Sequence, residues 1–461
     1  MGIGHRPWRT LAIVPVMLVA LVLSACNVHL TSGTTVGTVP PDVIPTTASG
    51  TPTSGSQGNC EPQTRHDAGS SDSQGTYLSP KQLWVLYGIE PLLKQCYTGK
   101  GQTVVVIDSF GSPTLQADID QFSDYYGLPR VKLQILAPLG TKQFDPTDQQ
   151  MLGWAGETTE DVQIIHAIAP DANIVVLTSP VDETEGVAGL PEFLQLEQYA
   201  VSHHLGAIVS QSWAASEVSL ADTAGKQEIA QWDTFFHTAT TQQGMTFFAG
   251  SGDNGATDYI DPGATQLSPT ATTSFPTSDP WVTSVGGTTI QQNSSQLSEI
   301  GWSASGGGFS RFYTEPSFQQ GLPTTDQQLL NHRRGVPDVS SSADPAIGLG
   351  CFASFSFFTP SEFVGNGTSA GSPLWAGLTA IANQMAGHPL GYLNPGLYKV
   401  AGGSNYTRDF HDITVGNNST NDKGVSVAGY DAVQGWDPMT GLGTPNAQYL
   451  LPDLIAAVSA G

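Results

Sequence analysis

The sequence predicts an α/β fold, in which a mainly parallel sheet is flanked by helices within a single domain. The clearest strand is 103–108, a continuous run of β-branched residues that is typical of a strand buried on both faces. Strand patterns alternate with helical patterns along the chain, which favours a parallel sheet covered on both sides. The other candidate strands are 173–177, 207–210 and 245–249. The helical stretches between the strands lie at about 158–168, 189–204 and 225–243.

The composition limits the partners of this 461-residue chain. It carries 40 Asp and Glu residues against 16 Lys and Arg residues, and only 12% of its residues are charged. Because binding to a phosphate backbone needs basic patches, this balance argues against nucleic acid as a partner. A fold with few cations relies little on ion pairs and loses little when carboxylates take up protons. The composition therefore indicates an exported, acid-tolerant protein.

Residues 1–26 are typical of a targeting segment. Arg6 and Arg9 precede an apolar run at 11–23, which is too short to span a membrane comfortably and ends in small residues. Cys26 follows directly, so the segment resembles the signal of bacterial lipoproteins, whose cysteine is lipidated and becomes the new N-terminus. This predicts a lipid anchor on Cys26 at the bacterial cell membrane. An ordinary cleaved signal peptide, which would lead to secretion, is the alternative.

Residues 27–76 are predicted to be a linker, since they are rich in Thr, Ser, Gly and Pro and poor in large apolar residues. The predicted folded domain is 77–461. Outside the cytoplasm Cys60 and Cys96 could pair, which would leave Cys351 unpaired. The sequence leaves this pairing open.

A serine at the start of a helical pattern is the first candidate for chemistry. In the stretch 365–373, Ser369 lies between small residues, and apolar residues recur at helical spacing directly after it. A helix N-terminus presents backbone N–H groups and favours negative charge, which suits a nucleophile whose product is an oxyanion. The alternative is a Gly/Ser turn that caps a buried helix.

Acidic residues at two places are further candidates. Glu157 and Asp161 are four residues apart, so they share one face of a helix. Neighbouring carboxylates repel each other and tend to share a proton. Asp253 stands in a Gly-rich turn after the predicted strand 245–249. Simpler explanations exist for all three, because acidic residues are common at helix N-termini and in turns.

An ordered set of motifs from about residue 77 to the C-terminus resembles the sedolisin family, the serine-carboxyl peptidases. The pieces that would carry the chemistry are Gly156-Glu157 with Asp161, Ser251-Gly252-Asp253-Asn254-Gly255, and Gly367-Thr368-Ser369-Ala370. The other matching segments are 87–89, 99–104, 169–170, 210–213, 275–276, 280–282, 286–288, 305–310 and 334–339. The resemblance implies a subtilisin-like fold, which agrees with the parallel sheet predicted from the strand pattern.

The resemblance also implies a role for each candidate. Ser369 matches the family's nucleophile, and Glu157 matches the general base that takes its proton. Asp161 matches the carboxyl that orients Glu157, and Asp253 matches the protonated acid that donates into the oxyanion hole. Asp108 aligns with a position near the base. These roles imply a peptidase that cleaves polypeptides through an acyl-enzyme on Ser369, with an optimum at about pH 3–5.

The segment 405–445 resembles the calcium-binding segment of the same family. Calcium takes oxygen ligands, both carboxylates and backbone carbonyls. The resemblance predicts one structural Ca²⁺ held by the carboxylates of Asp412 and Asp437 and by the backbone carbonyls of Ile413, Val433 and Gly435. The alternative is a pair of aspartates in ordinary turns.

Two other functions remain open. A neutral subtilisin-type protease would explain 106–109 and Ser369, but no segment resembles that family's histidine motif, and His166 and His203 fall inside helical patterns. A surface-anchored binding protein on an inactive peptidase fold would be expected to lack at least one catalytic side chain. Family members usually carry a folded N-terminal propeptide, whereas a low-complexity segment precedes the catalytic region here, so the control of activity stays open. We expect a monomer.

Overall fold

The structure, a computed structural model, describes residues 60–71, 76–293, 296–355 and 361–459. The predicted signal at 1–26, including Cys26, lies outside the described residues, as does the predicted linker up to residue 59. None of the helices in the described part of the chain has the length and apolar character needed to cross a membrane.

The strands follow one another along the whole described chain. In chain order they are β1 Ser70–Ser71, β2 Thr76–Leu78, β3 Thr103–Ser109, β4 Gln134–Leu136, β5 Asn173–Ser179, β6 Ile208–Gln211, β7 Ala215–Ser216, β8 Thr246–Gly250, β9 Ser274–Phe275, β10 Val282–Asn293, β11 Gln296–Gly301, β12 Gly308–Thr314, β13 Arg333–Val336, β14 Val339–Ser342, β15 Ile347–Ala353, β16 Ser361–Val364, β17 Phe410–His411, β18 Thr420–Asp422, β19 Val425–Val427 and β20 Thr444–Pro445.

The helices occur between these strands and at the C-terminal end. In chain order they are α1 Pro80–Leu86, α2 Glu90–Lys94, α3 Leu115–Tyr126, α4 Gln149–Ile168, α5 Leu190–Ser202, α6 Thr223–Gln243, α7 Thr324–Leu330, α8 Gly371–Ala386, α9 Asn394–Ala401, α10 Tyr406–Asp409 and α11 Ala447–Ser459. A short 3₁₀ turn, Thr368–Ala370, leads directly into α8.

A sheet of eight strands lies at the centre, in the order β11-β10-β8-β6-β3-β5-β4, with β14 also paired to β10. Its strand pairs are parallel except for β10 with β11. The strand predicted from the β-branched run, β3, lies inside the sheet, where Val104 is in register with Ile174 on one side and Ile208 on the other. The predicted α/β class with a mainly parallel sheet is therefore confirmed.

Both faces of the sheet are buried, as the continuous apolar strands require. On β3, Val104 and Val106 belong to the apolar cluster that includes residues of α4 and α8, and Val105 and Ile107 belong to the cluster of α5 and α6. Successive side chains of a strand point to opposite faces, so this division follows directly from the sequence. The sheet is thus the middle of three layers.

The helix α4 begins well before its predicted start at about 158. Its first turn is capped by Asp148, whose carboxylate accepts the backbone N–H groups of Gln150 and Met151 at 3.0 and 3.3 Å. The opening turns contain Gly153 and Gly156, which lower helix propensity, and their residues vary between buried and exposed, so the helical signal is weak there. From Thr158 to the end of the helix every residue is buried, and there the sequence pattern becomes visible.

Residues 60–71 fall within the predicted linker but are attached to the domain. A disulfide joins Cys60 to Cys96, and the Arg65 N–H donates a hydrogen bond to the Tyr126 carbonyl at 2.8 Å. The strand β1 pairs with β2, which in turn pairs with β15. The described end of the linker therefore packs as part of the domain. Cys351, on β15, is a buried free thiol.

Candidate active site

The polar candidates lie where strands of the parallel sheet end. Asp108 is near the end of β3, Ser212 follows β6, and Asp253 follows β8. Ligands of parallel sheets bind at the carboxyl ends of the strands, because the loops that leave these ends meet there. The structure thus brings groups from separate parts of the sequence to one edge of the sheet.

The helix α4 supplies most of the carboxyl groups. Glu157 and Asp161 lie four residues apart on it and so share a face, as the spacing predicted. Asp161 and Glu160 are buried, whereas Glu157 is partly exposed. The side chain of Glu157 lines an open cavity, and its Oε1 has no hydrogen-bond partner among the described residues. The carboxyl of Glu157 therefore keeps an acceptor atom that the described residues leave without a donor.

Ser369 also lines this cavity, in the 3₁₀ turn that precedes α8. The turn is entered through Gly367, whose φ of 73° is in the left-handed region that favours glycine. A Cβ at this position would lie 2.4 Å from Oδ2 of Asp253, so a larger residue would displace that carboxyl. Gly367 therefore allows Asp253 to approach the serine turn closely.

Asp253 is held against the residue that precedes the serine. Its Oδ1 accepts two hydrogen bonds from Thr368, from the backbone N–H at 2.8 Å and from the hydroxyl at 2.9 Å. The side chain is open to solvent on its cavity side. The protein around it nevertheless raises the pKa of Asp253 above its usual value by desolvation, and the two bonds from Thr368 only partly offset this increase.

Asp161 does not line the cavity but lies behind it, connected through a serine. The Ser212 hydroxyl donates to Oδ1 of Asp161 at 2.8 Å, and it also lies 3.2 Å from the carbonyl oxygen of Ser369. The other carboxyl oxygen of Asp161 has no hydrogen-bond partner among the described residues. Ser212 thus connects the helix that carries Glu157 to the main chain of Ser369.

The carboxyl groups around α4 favour protonation. Burial, followed by the charge of Asp108, raises the pKa of Glu157 to about 8, and the nearby hydroxyl of Ser369 opposes this shift. Burial raises the pKa of Asp108 to about 7, and its two carboxyl oxygens accept no hydrogen bond that meets normal geometry. Burial and the charges of Asp108 and Glu157 raise the pKa of Asp161 as well. These groups share protons because no Lys or Arg in the described part of the chain forms a salt bridge with them.

Glu160 is a member of this cluster that the sequence analysis missed. It is buried on α4, and its Oε1 accepts the backbone N–H of Asn366 at 2.8 Å, three residues before Ser369. Burial and the charge of Glu157 raise its pKa. An acidic residue inside the apolar half of a helix is the one sequence signal that could have identified it.

No histidine occurs among the described residues that line the cavity. His166 lies on α4 but is fully buried elsewhere, with its Nε2 3.1 Å from the Ser123 hydroxyl. Burial lowers the pKa of His166 to about 4. This side chain is therefore part of the core, as its position in an apolar helical pattern predicted.

The predicted calcium ligands lie near one another in the loops around β17 and α10. Tyr406 donates to Oδ1 of Asp412 at 3.0 Å. Burial raises the pKa of Tyr406, and the charges of Asp412 and Asp437 raise it further. Asp437 is fully buried and accepts the backbone N–H groups of Met439 and Thr440, each at 2.8 Å. The two carboxylates thus occupy one small region.

The carbonyl oxygens of the predicted set are available. In the described part of the chain, no residue donates a hydrogen bond to the carbonyl oxygen of Ile413, Val433 or Gly435. The N–H groups of Val433 and Gly435 instead donate to Asp437 and Asp412, each at 3.1 Å. No group of three His, Cys, Asp or Glu side chains suited to a metal occurs among the described residues. Two carboxylates with three unengaged carbonyls fit the oxygen preference of calcium without such a group.

Comparisons with known proteins give a consistent result, although no protein-family model matches the chain. Kumamolisin from Bacillus sp. strain MN-32 is 33% identical over 372 residues, which are 78% of this chain and 61% of kumamolisin. Human tripeptidyl-peptidase 1 is 32% identical over 325 residues, 67% of this chain and 53% of that protein. The chain thus spans less than two thirds of the length of these curated relatives.

A solved structure is similar over most of its length. It is Pseudomonas sedolisin, a serine-carboxyl proteinase, in complex with two molecules of pseudo-iodotyrostatin. The TM-score is 0.63 at 27% identity, and the match covers 79% of this chain and 94% of that one. The likeness confirms the predicted subtilisin-like α/β fold. On the similarities in sequence and in fold, this chain belongs to the sedolisin family.

Proposed function

We propose that the chain is an acid-acting serine-carboxyl peptidase that hydrolyses peptide bonds of polypeptide substrates through an acyl-enzyme on Ser369. One observation carries the proposal: Asp253 accepts hydrogen bonds from Thr368 beside Ser369, and Glu157, whose Oε1 has no hydrogen-bond partner among the described residues, lines the same cavity as Ser369. A nucleophile, a base and an acid are thus available to one bound peptide bond. The names of two relatives, a tripeptidyl-peptidase and a serine-carboxyl proteinase, support the same reaction.

In the acylation step, Glu157 takes the proton of the Ser369 hydroxyl as the oxygen attacks the scissile carbonyl carbon. The protonated Glu157 then gives this proton to the leaving amine as the C–N bond breaks. Glu157 then takes a proton from water as the water oxygen attacks the acyl carbon. It returns this proton to the Ser369 oxygen as the acid product leaves. Asp161 shares protons with Glu157 and is fixed by Ser212, so its role is to orient the base and adjust its charge.

Asp253 would stabilise the tetrahedral oxyanion. Its Oδ1 already accepts two hydrogen bonds from Thr368, so a proton on the carboxyl belongs on Oδ2. From there it can be donated to the oxyanion, together with the backbone N–H of Ser369. This role requires a protonated carboxyl, which the raised pKa of Asp253 favours.

The pH dependence of kcat/KM on one peptide tests the proposal. Activity needs the small fraction of molecules with the proton on Asp253 and not on Glu157, and this fraction gives a bell-shaped profile even when the base has the higher pKa. Free carboxyls would give an optimum at about pH 3–5, but the maximum lies midway between the two pKa values, so the raised pKa values of Asp253 and Glu157 move it upward, toward about pH 6. A plateau at about pH 7–9 with little activity at about pH 4 would reject the carboxyl mechanism and favour the subtilisin-type alternative.

We further propose that Asp412, Asp437 and the three carbonyls hold one structural Ca²⁺. The ion would join the loop of Ile413 to the loop of Val433 and Gly435, and it would take no part in the chemistry of the distant serine. The unengaged carbonyl oxygens support this proposal.

We also propose an extracytoplasmic location, with a lipid anchor on Cys26. The lipoprotein-like sequence and the Cys60–Cys96 disulfide support a location outside the cytoplasm. Cys26→Ala should move the protein from the membrane fraction to the soluble fraction, or stop its processing. A wild-type protein that is wholly soluble and unacylated would favour the plain signal peptide.

A further inference from the structure

The cavity beside Ser369 has a second acidic wall that the proposed mechanism does not use. The cavity has a volume of about 490 Å³ and extends from Ser369 past Trp213. Its far wall carries four carboxyl groups. They are Asp182, Glu183 and Glu185, from the loop after β5, and Asp258, from the loop after Asp253. No basic side chain lines the cavity among the described residues.

Two of these carboxyls are occupied by the protein itself. Asp258 accepts the side-chain N–H of Asn254 and the backbone N–H of Tyr259, each at 2.9 Å, and a short hydrogen bond from Ser274. Glu185 accepts the backbone N–H of Ser216 at 2.8 Å. These bonds fix the wall in place and leave its other members to face a ligand.

Glu183 lines the cavity and is only 9% exposed, but it accepts no such hydrogen bonds from the described residues. Its Oε1 is buried and accepts no hydrogen bond from any described residue. The neighbouring Asp182 uses Oδ1 to accept the Trp154 indole N–H at 2.6 Å, and its Oδ2 has no partner. A buried acceptor without a donor is costly, so the pair points to a ligand that brings hydrogen-bond donors.

The charges around these two groups are almost all negative. Burial raises the pKa of Glu183, and the charges of Glu185, Asp182 and Asp258 raise it further. Burial also raises the pKa of Asp182, the charge of Asp148 adds to this, and Lys142 opposes it. Lys142 lies 3.7 Å from Asp148.

A second cation among the described residues, Lys423, contacts residues that line the cavity. Lys423 donates to the Tyr259 hydroxyl and to the Ala264 carbonyl, and its ammonium lies over the Tyr259 ring. It is therefore engaged by residues that form the wall rather than by the free carboxyls.

We propose that this wall is a subsite for a cationic side chain, that of arginine or lysine, on the substrate residue that supplies the scissile carbonyl. The proposal rests on the proposed peptidase function, because Ser369 and Asp253 would fix that carbonyl. The cavity is bordered there by the segments 212–214 and 250–253. A side chain that leaves the substrate between these segments enters the cavity toward Asp182 and Glu183. The volume is within the range of sites that enclose one small ligand group.

A cation must meet at least one ionised carboxylate, whereas a neutral donor can bind the protonated wall. Since the wall carboxyls take up protons readily in the free protein, binding a cation releases protons. The preference for a cation over a neutral side chain of the same shape should therefore grow as the pH rises. The direction of this pH dependence therefore distinguishes a subsite that binds charge from one that is only polar.

The test compares two N-acetylated peptides that differ only at the residue supplying the scissile carbonyl, arginine in one and neutral citrulline in the other. For the wild type, we expect kcat/KM to favour arginine by about tenfold or more at about pH 5–6, as for a charge-assisted hydrogen bond. The ratio should fall toward one at about pH 3. Glu183→Gln should remove most of the preference, and Asp124→Asn, a surface change of equal charge on α3, should leave it unchanged.

Binding to the Ser369→Ala protein, measured by fluorescence anisotropy, makes the inference independent of turnover. Equal affinity for both peptides at every pH overturns the subsite, even where wild type cleaves both and the peptidase proposal stands. Tighter binding of the arginine peptide without cleavage by the wild type supports the subsite and contradicts the proposed function. If Glu183→Gln fails to fold, the partly exposed Asp182→Asn replaces it, and an unchanged preference in a folded variant overturns the assignment.

Discussion

The protein neutralises buried carboxyl groups in two different ways. In the C-terminal half, Asp338 is fully buried and is paired with the fully buried Arg334, whose Nη1 lies 2.7 Å from its Oδ1. Tyr398 and the Ser284 N–H donate to the same carboxylate, each at 2.9 Å. The carboxyls around α4 have no such cation among the described residues, and their pKa values are raised by burial and by one another.

The two ways of neutralising carboxyl groups suit different roles, stability in the first region and acid–base chemistry in the second. A carboxylate that is paired with a guanidinium keeps a constant charge across the working range, so it serves the structure. Carboxyls that are neutralised by protons change charge within a few pH units, which is the property that acid–base catalysis needs. The comparison predicts that changes in the first region affect unfolding and that changes in the second affect turnover.

Ser369→Ala should give the largest effect, a loss of peptide hydrolysis of at least about 10³-fold. The melting temperature should change little, because the side chain is small and lies at the edge of a cavity. Turnover of one peptide and a thermal melt measure both. Ser202→Ala, an exposed change on α5, serves as the control. Residual activity above a tenth of wild type in a clean preparation would remove Ser369 from the nucleophile role.

Arg334→Met should destabilise the fold by about 3–5 kcal/mol, because it leaves Asp338 as an uncompensated buried charge. The double change Arg334→Met with Asp338→Asn should recover much of the stability. Arg130→Met, in an exposed ion pair with Asp124, should leave the melting temperature almost unchanged. Equal melting temperatures for Arg334→Met and wild type would contradict the prediction that changes in this region affect unfolding.

A metal ion would be a third means of neutralising carboxylates. Calcium at about 100 times its Kd should stabilise the wild type by about 2.7 kcal/mol, since a ligand that binds only the native state shifts the unfolding equilibrium. Asp437→Ala should be less stable and should not respond to calcium. Melting curves with calcium or with a chelator decide this, and a wild-type curve that the chelator leaves unchanged rules out the site.

Asp108→Asn should give the smallest change in the free energy of unfolding, on the order of 1 kcal/mol near neutral pH. The change is small because the other carboxyls take over part of the shared titration. The pKa of Asp108 in the folded protein is raised to about 7, above its unfolded value. The folded state therefore binds the extra proton, and wild type loses stability as the pH rises from about 4 through 7. Melting temperatures across this range should fall less steeply for the variant. Parallel curves would show that Asp108 does not titrate as proposed.

The sequence alone located four of the eight strands of the central sheet, namely β3, β5, β6 and β8. Strands such as β3 and β5 were predicted almost to their ends, because a strand buried on both faces is a continuous run of β-branched and apolar residues. The short pairings β12 with β13 and β17 with β20 were not predicted. They are two-stranded ribbons whose pairing is decided by tertiary contacts that have no periodic pattern.

The candidate site was predicted less completely. Glu157, Asp253 and Ser369 lie on one cavity, and Asp161 lies just behind it, as the resemblance led us to expect, but their roles stay predictions. The contact between Glu160 and Asn366 depends on the packing of α4 against the serine loop, which no local pattern encodes. The acidic wall opposite Ser369 was also missed, because its members come from two loops that meet only in the folded chain.

The helix α4 is tied to the serine loop at two points, through Glu160 to Asn366 and through Ser212 to the Ser369 carbonyl. Asp253 holds the same loop from the other side through Thr368. A loop held from both sides cannot loosen alone, since every opening must break bonds to a core helix or to a strand end. Heating should therefore abolish activity and unfold the protein within the same narrow temperature range, with no inactive folded form between them.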